Sequence, residues 1–162
     1  MKLEGRHTVS LTGIRALAIE CHALDLSAKE LLFFPIHRDD NGLTRATYDE
    51  LLTSKMLALA IALRTKFYQG VPYKGTEKYM DHVGFLEIQT KTMTKGWKFT
   101  IKDVCDKIIH ADTVTRDFKG DFSRPLTVLA GNGPGAATWI MGFSLSNFAD
   151  CLLWWLNEEH EA

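Results

Sequence analysis

The sequence predicts a mainly α, α+β domain: a helical bundle carrying an appended antiparallel β-hairpin or ribbon. Three observations predict it. Apolar residues recur at helical spacing from Leu11, a long apolar segment closes on Gly70, and two β-branched, aromatic-rich runs flank a glycine-rich turn near residues 126–143.

The first element follows from Leu11, Ile14, Leu17, Ala18, Cys21 and Leu24, which share one helical face and predict an amphipathic helix over about 11–24. Ser27 and Glu30 form a capping-box pattern that predicts a separate short helix, stopped by Pro35. Asn41-Gly42 in "HRDDNG" marks a turn. A second capping box, Thr47 and Glu50, opens a helix from Leu51 to Tyr68 with its exit at Gly70. Its middle, "MLALAIAL", is apolar on every side, so this is expected to be the surrounded, central helix.

Pro72, Gly75 and Gly84 make 70–84 a connection, with one helical turn near "EKYMDH". "FLEIQTKT" and "GWKFTI" alternate loosely in polarity, as strands do. Thr100 and Asp103 cap a helix over about 101–111. After a polar link, "PLTVLAG", "GNGPGAA" and "TWIMGF" read as strand, turn and returning strand. Ser144 or Ser146 then caps a last helix through "NFADCLLWWL". Residues 1–162 form a single domain in this reading, without internal repeats.

Composition narrows the classes of function. The 162 residues are 46% hydrophobic and 24% charged, which suits a folded chain with one core. A net charge of −1 supplies no global field for nucleic acid or an anionic membrane, so such a partner would need a local patch. No run is long enough to span a bilayer, so cytoplasmic residence without a membrane partner is expected. Cys21, Cys105 and Cys151 are odd in number and widely spaced, which argues for small core residues in a reducing compartment. The six histidines show no paired-ligand spacing, and neither metal nor cofactor is expected.

The chemistry centres on "DKIIHADTVTRD". Ile101, Val104, Cys105 and Ile108 gather on one helix face, and His110 falls almost opposite, near Asp103 and Asp106. Asp106, four residues earlier, is placed to orient the ring and favour its protonated form, as a general acid or a phosphate contact requires. The same spacing also suits an ordinary solvated pair, or a histidine at a helix end. Arg64 follows an apolar run, so its charge must meet a carboxylate, backbone carbonyls or a ligand phosphate. Lys91, Lys95, Lys98 and Lys102 interleave with Trp97 and Phe99, a pattern that suits phosphate attraction with base stacking, or a solvated ribbon with its rings turned inward. Lys107 and Arg116, on either side of His110, complete the candidate ligand contacts. Gly131, Gly133 and Ala136 fit a dinucleotide-binding pattern, although a hairpin turn accounts for them more simply.

Taken together, "LRTKF" at the end of an apolar helix, "FTIKDVCDKIIHA", a hairpin with "TW" and a closing apolar helix resemble uncharacterised bacterial and phage proteins of the HEPN (higher eukaryotes and prokaryotes nucleotide-binding) type, a helical-bundle superfamily. The resemblance touches roughly the last two thirds of the chain. It implies binding of RNA or a nucleotide around His110, and pairing of two copies around that face. Catalytic members carry an arginine separated from the histidine by four to six residues and cleave RNA without a metal. Here Asp103, Val104 and Cys105 stand where that arginine would be, so the full motif is absent. Arg64 or Arg116 would have to supply a guanidinium in space, with His110, Arg64 and Asp106 as the catalytic candidates and Trp97, Lys98, Lys102, Lys107 and Arg116 as ligand contacts. The alternative is a non-catalytic protein-protein interaction module, with adjacent Trp154 and Trp155 supporting dimerisation.

Overall fold

The computed structural model describes residues 9–33, 42–90, 93–96, 99–118 and 124–160. Its long elements are α1 (Leu11–Phe33), α2 (Leu43–Tyr68), α3 (Ile101–Ile109) and α4 (Leu145–His160). The strands are β1 (Gly84–Thr90), β2 (Met93–Gly96), β3 (Thr113–Asp117), β4 (Leu126–Asn132) and β5 (Thr138–Phe143). The strands form one antiparallel sheet ordered β2-β1-β5-β4-β3. The expected helical bundle with an antiparallel β-ribbon is therefore present, and the expected hairpin is β4-β5. The ribbon at 84–96 and the hairpin are parts of the same sheet because β1 pairs with β5, Leu86 opposite Met141. Among the described residues, no helix is long and apolar enough to cross a membrane.

Local chemistry explains where each helix begins and ends. α1 runs through Ser27 without a break: the Ser27 hydroxyl donates back to the Leu24 carbonyl (3.1 Å), so it serves inside a helix instead of starting one. The expected division of α1 into two helices is thus corrected. α2 starts at Leu43, after Gly42 at φ +82°, and Thr47 and Glu50 lie within it instead of capping it. At its far end Gly70, at φ +100°, donates to Phe67 O (3.1 Å) and Val71 donates to Lys66 O (3.3 Å). This is the left-handed glycine exit that the sequence predicts. α3 has the predicted capping box: Thr100 Oγ1 accepts from the Asp103 N–H, and Asp103 Oδ2 accepts from the Thr100 N–H. For α4 the cap is Ser144, whose Oγ accepts from the Asn147 N–H at 3.2 Å.

The expectation that other elements surround α2 is corrected: α1 packs against α2 and α4, and α2 against α1 and α3, and both helices keep a solvent-facing side. Tyr48, Leu52, Met56, Leu59, Leu63 and Phe67 of α2 are buried, whereas its opposite side faces solvent. On the sheet, Leu129, Trp139, Met141 and Phe143 are buried and join the helices in one core. β3 was not expected. Its residues alternate exposed and half-buried, and the half-buried ones are Val114 and Arg116, so its polar composition hides a strand whose inward face carries a charge.

The glycine-rich "GNGPGAA" joins two antiparallel, directly paired strands, Gly131 lying opposite Trp139. A pyrophosphate-binding turn needs a helix after the first strand, so the dinucleotide pattern is excluded here. Gly131 is required for a different reason: a Cβ there would sink into the Trp139 ring.

Candidate functional site

Arg64, near the end of α2, turns towards α3. Its Nε stands 2.7 Å from Asp106 Oδ1, and its Nη2 donates to the Tyr68 hydroxyl at 2.8 Å. The second oxygen of Asp106 accepts from Lys102 Nζ, also at 2.7 Å. Lys102 lies 5.4 Å from the centre of the Tyr73 ring, and the Arg64 guanidinium 4.8 Å from that of Tyr68. One carboxylate is thus shared by two cations from neighbouring helices. Arg64 does meet a carboxylate, as its apolar flank requires, but that carboxylate is the one expected to orient His110.

His110 is the C-cap of α3. Its backbone N–H donates to Asp106 O at 3.0 Å, its side chain is exposed, and the ring has no ion pair or hydrogen bond among the described residues. The expectation of an Asp106–His110 pair is corrected, because both Asp106 oxygens are engaged by Arg64 and Lys102. Beside it, Lys107 Nζ sits 4.3 Å from the centre of the Trp139 ring, where partial burial lowers its pKa. Trp139 itself is buried, so its face serves Lys107 and not an incoming base.

Arg116 is committed elsewhere. Its Nη2 lies 2.6 Å from Asp25 Oδ1, with the two side chains 4% and 0% exposed. Its Nη1 donates to Thr127 Oγ1 at 2.6 Å, and Asp25 Oδ2 accepts from the Ser146 N–H at 2.8 Å. Tyr48 adds its hydroxyl, donating to Leu24 O at 2.7 Å. Burial pushes the Tyr48 phenol up to about 12. The carboxylate thus meets the start of α4, where the helix dipole favours a negative charge. This network ties α1, α2, β3, β4 and α4 together, and it is structural.

Trp97 and Lys98 lie outside the described residues, as does Lys91. Phe99 is buried and so is core, not a stacking platform. Among the described residues no group of His, Cys, Asp and Glu could hold a metal ion. The cysteines are free thiols; Cys21 and Cys105 are buried. The cleft between α2 and β3, about 320 Å³ and lined in part by Arg45, Asp49, Thr53 and Arg116, does not include His110.

The feature that sequence reasoning missed is the outer face of α2. Leu51, Leu57 and Ile61 are 43%, 38% and 50% exposed, and Tyr68 is 78% exposed. Ser54 and Ala58 fill the positions between them. The signal was the apolar "MLALAIAL" run itself, which has enough apolar residues for two faces while only one is covered. Two of the charges beside this face are tied down, Lys55 to Glu20 at 2.7 Å and Arg64 to Asp106. Comparison with protein-family models, with curated proteins and with solved structures finds no match.

Proposed function

We propose that this chain is a non-catalytic protein-interaction module that docks through the exposed face of α2. The observation that carries it is the uncharged stripe from Leu51 through Ser54, Leu57 and Ala58 to Ile61. Apolar residues left in a continuous row on a surface otherwise laced with ion pairs suit burial against another protein. The placement of the arginines supports a non-catalytic reading. Both candidate guanidinia are spent on carboxylates, Arg64 on Asp106 and Arg116 on Asp25, and the exposed ring of His110 has neither an orienting acid nor a neighbouring arginine fork.

The test compares proteins retained by the immobilised wild type and by Leu57→Asp. Leu57 is on the surface, so the variant should keep its melting temperature while losing the retained proteins, copies of itself included. Identical retention by both would remove α2 as the docking face.

A second reading keeps the HEPN resemblance, with RNA or a nucleotide bound around His110. Lys107 beside the exposed His110 favours it, since both can reach an approaching phosphate. It requires that His110→Ala with Lys107→Glu weaken the binding of single-stranded RNA and flatten its salt dependence. Anisotropy that is unchanged by both substitutions would exclude it.

A further inference from the structure

We draw no further inference here: the strongest candidate, the exposed apolar face of α2 from Leu51 to Ile61, belongs to the docking site already described, and nothing in the structure shows what covers it.

Discussion

Two of the arginine–carboxylate pairs in this protein differ in nearly everything except their distance. Arg116 and Asp25 lie 2.6 Å apart with almost no exposed surface, joined to Thr127 and the first turn of α4. Arg64 and Asp106 lie 2.7 Å apart at the rim between α2 and α3, 16% and 27% exposed, with Lys102 as a third member. The first pair has no water to fall back on, so losing one member strands the other as a buried charge. The second can exchange its partner for solvent. The same chemistry therefore fixes the fold in one place and only steadies a helix contact in the other.

The largest break in that comparison is Arg116→Met, which leaves Asp25 charged in the core. Urea unfolding should show a loss of about 3–5 kcal/mol, and adding Asp25→Leu should recover part of it. A loss below about 1 kcal/mol would mean that water reaches Asp25 after all.

The thiols near each pair sharpen it through pH. Burial, and then the neighbouring Glu20 and Asp25, push the Cys21 thiol up to about 12; burial, and then Asp106, raise Cys105 as well. Both are held as neutral thiols in the folded state, which binds more protons than the unfolded chain above about pH 9. Stability must therefore be fully present below about pH 9 and fall as pH rises towards 12, by on the order of 2 kcal/mol for Cys21 at about pH 10.5. Tyr48 adds to this slope, while Lys107, whose pKa is lowered, opposes it. Urea midpoints at about pH 8 and about pH 10.5 check the sign. Native Cys151, raised only to about 11 and partly exposed, should be the first thiol that Ellman's reagent labels.

Arg64→Ala should cost about 1 kcal/mol, because Asp106 keeps Lys102 and gains water. The smallest expected effect is that of His110→Ala, within about 0.5 kcal/mol by thermal melting, since only an exposed C-cap side chain is removed. A larger loss would mean that the ring packs more closely than its exposure indicates.

What was legible in the sequence was local. Thr100 with Asp103, Gly70, Ser144 and the turn after Asn132 each act within a few residues, and each does in the structure what its spacing predicts. What was not legible depends on distant partners. Ser27 is a good cap in isolation, but the helix through it continues because Asp25 and Ala28 on its inner face are buried. β3 reads as a polar link until Arg116 is seen to face Asp25, whose place in the sequence gives no hint of the pairing. Asp106 could be matched to His110 by spacing alone, since both are on one helix. Arg64 and Lys102 win it because two cations already converge there. The same limit applies to "MLALAIAL", where composition reports apolar surface but not whether anything covers it.

The placement of α1 between α2 and α4 has a consequence during synthesis. Its inner face, with Ile14, Ala18 and Cys21, is completed by a helix that does not begin until Leu145. At ribosomal rates the interval between them is on the order of ten seconds. During that time Asp25 stays solvated, and α1, made before α2, α3 and α4, is among the last of the four to be enclosed. A nascent chain halted before Leu145 should present α1 to chaperones, and release of α4 should end that exposure in one step, when the Ser146 N–H reaches Asp25.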